Sequence, residues 1–196
     1  MRRAALLLAL ALAGCTLGPP QRPPQALYDF GPPPAHNAAR PAANLAIPRV
    51  AAPDWLETPT LQYRLAYQDP LRYHGYAGSR WVASPAQLLT ERLRQAAQAS
   101  GRGTARDADV VKTDYTLRVE LEEFSQVFDS PQASRAVARA RASLVRGGRT
   151  LAAQKNFAVE KPAPGADAAG GAQALAAAAD QLVAELLAWA AEAGAR

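Results

Sequence analysis

Between Tyr115 and Leu144 the chain is written with a period of two. Tyr115, Leu117, Val119 and Leu121 alternate with Thr116, Arg118, Glu120 and Glu122. After Asp129-Ser130-Pro131-Gln132, Ala136, Ala138, Ala140, Ala142 and Leu144 alternate with Arg135, Val137, Arg139, Arg141 and Ser143. Successive strand residues point to opposite faces, so each run has one apolar and one polar face. Two such runs around a turn predict a β-hairpin. If Phe128 pairs with Ala133, then Leu121 meets Ala140, Glu120 meets Arg141 and Glu122 meets Arg139. Opposite charges then face each other on the polar side. The same register leaves Phe124 beside Val137 on that polar side, unless Glu122-Glu123 forms a bulge.

The flanking sequence extends the pattern. Leu45 to Val50 reads as a strand, with Pro48 confining it to an edge or bulged position. Pro53-Asp54-Trp55-Leu56 reads as a turn with a buried Trp. Leu61, Tyr63, Leu65 and Tyr67 alternate with Gln62, Arg64 and Gln68, which predicts a half-buried strand. Asp69-Pro70 turns the chain into a returning strand over Leu71 to Tyr76. Ser84, Pro85 and Gln87 make the start signal of a helix ending at Ser100-Gly101. Its apolar face is Leu88, Leu89, Leu93, Ala96 and Ala97, with Glu91, Arg92, Arg94 and Gln95 opposite. Gly147-Gly148 is a turn, and Leu151, Ala153, Phe157 and Val159 suggest a further strand. Asp167 to Ala193 reads as an amphipathic helix with Leu175, Leu182, Val183, Leu186 and Trp189 on one face. Strands, helix, strands and helix together predict an α+β fold, a mainly antiparallel sheet with two helices on one face.

The N-terminus has a separate logic. Arg2 and Arg3 precede an uncharged run from Ala4 to Ala13 and then Gly14-Cys15. A short basic segment followed by a short apolar run is a secretory signal, and the run falls short of the roughly 20 residues that span a bilayer. Leu12-Ala13-Gly14-Cys15 resembles the lipobox of bacterial lipoproteins. That resemblance implies cleavage between Gly14 and Cys15 and lipid on the Cys15 thiol. Cys15 is the one cysteine in the chain. Thr16, where an Asp would favour inner-membrane retention, favours outer-membrane sorting on the same resemblance. The expected organisation is a signal peptide at 1–14, the lipidated Cys and a Pro-rich tether at 15–43, and a folded domain at 44–193. Pro19-Pro20, Pro23-Pro24 and Pro32-Pro33-Pro34 make that tether a semi-rigid spacer. Tyr28-Asp29-Phe30 is an apolar island inside it, expected to dock as a short edge strand.

Loss of Arg2 and Arg3 takes 22 basic residues to 20 against 17 acidic ones, a formal charge of +3. That mild excess, with no aromatic-interleaved basic stretch, sets nucleic acid aside. With its one cysteine lipidated, the mature chain has no disulfide framework. No catalytic set, metal-ligand spacing or phosphate loop is present in the sequence, so no cofactor is expected. His36 lies in the spacer, and His74 is a lone strand histidine beside Tyr73. Glu122 and Glu123 are a poor acid/base pair. Arg135, Arg139 and Arg141 read as a charge-paired solvent face. The chain is therefore not expected to be an enzyme.

Several stretches together resemble the ABC-type transport auxiliary lipoprotein family. They are Ala52-Pro53-Asp54-Trp55-Leu56 with Leu61-Gln62-Tyr63-Arg64, and Leu71-Arg72-Tyr73-His74-Gly75-Tyr76 leading to Arg80-Trp81. Pro85 to Leu93, Tyr115 to Val119, Gly147-Gly148-Arg149 before Phe157, and the closing helix complete the set. The likeness runs from about residue 44 to 190. It implies a non-enzymatic, lipid-anchored component facing the periplasm. Its partners would be an MCE-domain protein that forms a lipid conduit and the permease and ATPase of an ABC system, and it allows a homo-oligomer. Tyr73, Tyr76 and Trp81 are the candidate partner-binding residues, because aromatic side chains carry much interface energy. The alternatives are an outer-membrane assembly lipoprotein of the lipopolysaccharide-barrel plug type and an envelope scaffold.

Overall fold

A computed structural model describes residues 24–34, 44–100, 104–105 and 113–195. Its elements in chain order are β1 (Ala26–Tyr28), β2 (Leu45–Ala46), β3 (Thr60–Leu65), β4 (Tyr73–Trp81), α1 (Pro85–Ala99), β5 (Thr104–Ala105), β6 (Tyr115–Ser130), β7 (Ala133–Arg146), β8 (Thr150–Pro162) and α2 (Ala168–Gly194).

The hairpin β6–β7 is the spine of the sheet. Leu121 pairs with Ala140 and Glu120 with Arg141, the expected register. The register then shifts at Glu122, so that Glu123 pairs with Arg139 and Phe124 with Ala138. This bulge resolves the conflict in the sequence pattern: it returns Phe124 to the apolar face, where it is buried. Gly147 and Gly148, with φ of 55° and 73°, make the tight turn toward β8 that a residue with a Cβ resists. β8 runs antiparallel along β7 from Arg146↔Thr150 to Arg135↔Pro162.

The fold is α+β and its sheet mainly antiparallel, as expected, but it is mixed, with parallel pairings as well. The other edge of β6 is a patchwork of parallel pairings. β2 pairs at Tyr115 and Thr116, Ala51 bridges at Glu120, and β3 pairs from Gln126 to Phe128. Ala51 exchanges backbone hydrogen bonds of 2.9 and 2.8 Å with Val119 and Leu121. Pro48 and the irregular chain around it break the predicted 45–50 strand into these two contacts. β4 then returns antiparallel to β3, and β1 adds to β4 in parallel, pairing Tyr28 with Trp81. Parallel order arises because these strands reach β6 from a distance in sequence, which no local pattern reveals.

Both helices start as the sequence signals. The Ser84 hydroxyl accepts from the Gln87 N–H, and the Asp167 carboxylate accepts from Gly170 N–H at 2.7 Å. α2 lays Ala174, Leu175, Ala178, Ala179, Leu182 and Leu186 onto the sheet. By length and composition α2 is apolar enough to cross a bilayer. Its buried face is instead spent on β6, β7 and β8. The sheet meets it with Ala136, Ala138, Ala140 and Ala142, all fully buried. Small side chains on both partners allow a close approach. At the head of the helix a Cβ on Gly171 would stand 2.0 Å from Gln126 Oε1.

Three side chains depart from the expected faces. Arg92, read as solvent-facing, is 5% exposed. It donates to the carbonyls of Phe30 and Gly31 at 2.7 and 2.6 Å and lies 3.5 Å from Asp180 on α2. The buried Phe30 takes up the space that solvent would otherwise fill. Trp55, read as buried, is 54% exposed. A single 3-10 turn at Asp54–Leu56 points Leu56 into the core in its place. Tyr67, read as sharing a face with Leu61, lies past the end of β3 and is exposed.

The alanine contact sets the first prediction. Ala140→Leu should destabilise the fold by about 1–3 kcal/mol, since added methylenes have no space under α2. Arg139→Ala, on the opposite face of the same strand, removes an exposed ion pair and should stay within about 1 kcal/mol. Urea unfolding of the two variants checks both.

Candidate functional site

The β3–β4 hairpin and its turn carry Tyr63, Tyr67, Tyr73 and Tyr76, of which Tyr67 and Tyr73 are exposed. Tyr63 and His74 are paired across the strands, and their rings stack 5.0 Å apart. Tyr76 packs on Tyr63 at 4.5 Å, and Phe128 meets Tyr63 edge-on at 5.8 Å. The Tyr76 hydroxyl donates to Gln126 Oε1 at 2.9 Å, and Gln126 Nε2 donates to Ser134 Oγ at 2.8 Å. Burial, and secondarily the neighbouring Tyr63 and Asp167, push the Tyr76 hydroxyl from 10.0 up to about 12. On the opposite face the Arg64 guanidinium lies 4.0 Å over the Tyr73 ring and donates to the Pro70 carbonyl. Beyond them the turn exposes Tyr67, Leu71 and Arg72; Leu71 is 88% exposed.

The three candidate contact residues thus occupy three environments. Tyr73 is a surface residue, stacked under Arg64. Tyr76 is half-buried and tied into the Gln126 network. Trp81 is 1% exposed and packs edge-on against Phe30 at 5.6 Å, so it holds the N-terminal segment in the core. The predicted returning strand begins later than expected and runs further, from Tyr73 to Trp81. Thr60 pairs with Arg80 and Gln62 with Gly75, so β4 bulges out between Tyr76 and Ser79.

The charged residues singled out in the sequence form pairs. Glu122 reaches Arg141 at 2.8 Å, and Glu123 reaches Arg139 at 3.2 Å. The bulge brings both carboxylates to the solvent side, each with its own arginine. Arg135 lies between Asp129 and Glu160; the hydrogen bond to Asp129 holds its guanidinium pKa above the ordinary value. Among the described residues no group of three His, Cys, Asp or Glu side chains is placed to hold a metal. Gly14, Cys15 and His36 lie outside the described residues.

A feature that the sequence reading missed lies at the other end of the sheet. Where β8 begins and α2 ends, a cleft of about 420 Å³ opens between Arg146, Leu151, Ala153, Trp189 and Glu192. Arg146 donates to the Tyr115 hydroxyl at 2.8 Å, and Trp189 meets Phe157 edge-on at 5.8 Å. Leu151 is exposed on the rim. The available signal was Leu151 itself, a large apolar residue immediately after a glycine turn.

The fold is an α+β module with exposed apolar side chains at both ends of one sheet, Leu71 at one and Leu151 at the other. A family model for the ABC-type transport auxiliary lipoprotein component matches residues 27–187, and the chain belongs to that family. Among solved structures it is similar to protein XCC0632 from Xanthomonas campestris, with 20% identity and a TM-score of 0.75. That alignment covers 88% of this chain and 97% of the other. It is also similar to an uncharacterized protein with 19% identity and a TM-score of 0.67, over 85% of this chain and 99% of the other. At these identities the likeness concerns the fold. No curated protein matches the chain.

Tyr76 gives a pH prediction. The folded protein keeps the Tyr76 proton up to about 12, while the unfolded chain loses it near 10.0. Between these values the folded state binds more protons, so stability should fall as pH rises. Tyr76→Phe should flatten that fall, as read by denaturant midpoints across the alkaline range.

Proposed function

We propose that this chain is the lipid-anchored docking subunit of an ABC-type lipid transport system, held at the outer membrane by acyl chains on Cys15. The observation that carries the reading is the family match over residues 27–187 behind the Gly14-Cys15 cleavage motif. The signal peptide 1–14 is removed, Cys15 takes the lipid, and the Pro-rich stretch that follows spaces the fold from the bilayer. Two acyl chains suffice for stable attachment, because each buried CH₂ contributes about 0.8 kcal/mol. The partner is an MCE-domain protein whose conduit the lipoprotein receives, with the permease and ATPase at the far end of that conduit.

The work of this subunit is positional. The arginines of β7 that line its polar face, Arg135, Arg139 and Arg141, are paired with carboxylates, and exposed apolar surface lies elsewhere, at Leu151 and Leu71. The cleft beside Leu151 and Trp189 suits contact with the partner, since interface energy concentrates where an apolar anchor fills a pocket. Tyr73, at the other end, is the remaining exposed member of the expected contact set.

Crosslinking from envelope membranes tests the reading. Wild-type protein should capture an MCE-domain protein and fractionate with the outer membrane, and Cys15→Ala should lose that fractionation while staying folded. Leu151→Asp should lower capture several-fold, whereas Tyr73→Ala should leave it unchanged. Capture of an outer-membrane barrel would favour the assembly-lipoprotein reading, and capture of neither would leave a scaffold.

A further inference from the structure

The direction of β1 shows from which end of the sheet the chain that leads back to Cys15 enters the fold. β1 runs parallel to β4, with Ala26 beside Ser79 and Tyr28 beside Trp81. One residue earlier, Gln25 Nε2 donates to the Ala77 carbonyl at 2.9 Å. Followed backward, the chain therefore heads along β4 toward Tyr73 and the turn that joins β3 to β4. The described chain thus enters β1 from the end of the sheet at which this turn lies. The cleft at Leu151 and Trp189 lies at the opposite end, since β3 pairs with β6 at Phe128 whereas Arg146 pairs at Tyr115. Thirteen residues of β6 separate those levels, about 43 Å at ~3.3 Å per residue.

The lengths decide whether the turn reaches the membrane. From Ala77 to Leu71 is six residues of strand and turn, at most about 20 Å. Ten residues separate Cys15 from Gln25. They span about 31 Å as a polyproline helix and about 18 Å as a flexible coil. Both reaches are comparable to the distance from Ala77 to the turn, so the turn can touch the surface that holds Cys15.

The turn has the composition of a membrane-interface element. Leu71 is almost fully exposed, Tyr67 and Tyr73 are partly exposed, and Arg72 stands beside them. Arg64, drawn over Tyr73, adds a second cation against the single carboxylate Asp69, which is turned back to accept from the Leu71 N–H at 3.0 Å. Aromatic rings and arginines settle where apolar chains meet headgroups, and cations favour an anionic surface.

We propose that the β3–β4 turn, through Tyr67, Leu71, Arg72 and Tyr73, rests in the surface of the bilayer that holds the Cys15 lipid. It is a second attachment point that fixes the orientation of the domain. This inference rests on the reading of Cys15 as the anchor. A lipid on Cys15 pins one point of a tether, which leaves the domain free to rotate. A second contact on a rigid hairpin removes that freedom and points the Leu151 cleft away from the membrane.

The test uses the full lipidated protein in vesicles of phosphatidylethanolamine and phosphatidylglycerol. With Cys15 blocked by lipid, a cysteine introduced as Leu71→Cys or Leu151→Cys is the one free thiol and takes an environment-sensitive fluorophore. The label at position 71 should emit at shorter wavelength on reconstitution and lose at least half its intensity to quencher-bearing lipid. The label at position 151 should do neither. Equal behaviour at both positions, quenched or unquenched, in vesicles that retain the protein overturns the second contact and leaves the anchor standing. Protein whose Cys15 carries no acyl mass and which does not float with vesicles overturns the anchor reading instead.

Discussion

The structure depends on a contact between small side chains. The inward face of β7 is alanine at four successive positions, and α2 answers with Ala174, Ala178 and Ala179. Each such side chain gains little alone. Together they let a 27-residue helix lie close on the strand, so that the larger Leu175, Leu182 and Leu186 fall into the space on either side. Close packing of this kind has no slack, because interiors are packed to crystal density. The spacing of helix and sheet is consequently fixed by what the chain lacks at Ala138, Ala140 and Gly171 as much as by what it carries.

The β6–β7 hairpin, both helices and the glycine turn were legible in the sequence because each is a local matter. Period two, a capping Ser followed by Pro, and Gly147-Gly148 leave their marks within a few residues. Even the bulge at Glu122 was visible as a contradiction between charge pairing and the place of Phe124. The parallel edge of β6 was not legible. It is assembled from Leu45, Ala51 and Tyr63, which lie too far from their partners for any window to register. Arg92 was misplaced for a related reason. Its own helix faces gave it to solvent, and only the arrival of Phe30 and Gly31, some 60 residues away, makes it a core residue. Of the candidate contact set, Tyr73 and Tyr76 were recognisable as aromatic residues on a strand. Nothing local separated the surface position of Tyr73 from the buried one of Trp81. The cleft at Leu151 and Trp189 joins two elements that no pattern connects.

Arg92 also links two parts of the chain with different tasks. Its guanidinium holds the carbonyls of Phe30 and Gly31 on one side and Asp180 on the other. A buried cation is costly unless it is paired, and the partners of Nη2 and Nε come from the N-terminal segment and from the last helix, while Nη1 makes no hydrogen bond. The segment that leads back toward Cys15 is therefore gripped by charge as well as by the packing of Phe30 against Trp81 and Phe124. A pull on the tether is borne by the core of the fold.

The patchwork edge of β6 has a consequence for biogenesis. Strands β2 and β3 find their central partner only when residues 115–130 are present, and β4 and β1 join the sheet through β3, whereas β6, β7, β8 and α2 follow one another in sequence and pack on near neighbours. A chain that crosses a membrane N-terminus first delivers its dependent half before the half that can organise itself. During that interval Phe30, Leu61 and Trp81 have no core to enter. The order of synthesis and the order of assembly run in opposite directions, and the edge of β3 that awaits β6 must be kept from foreign sheet edges until β6 emerges.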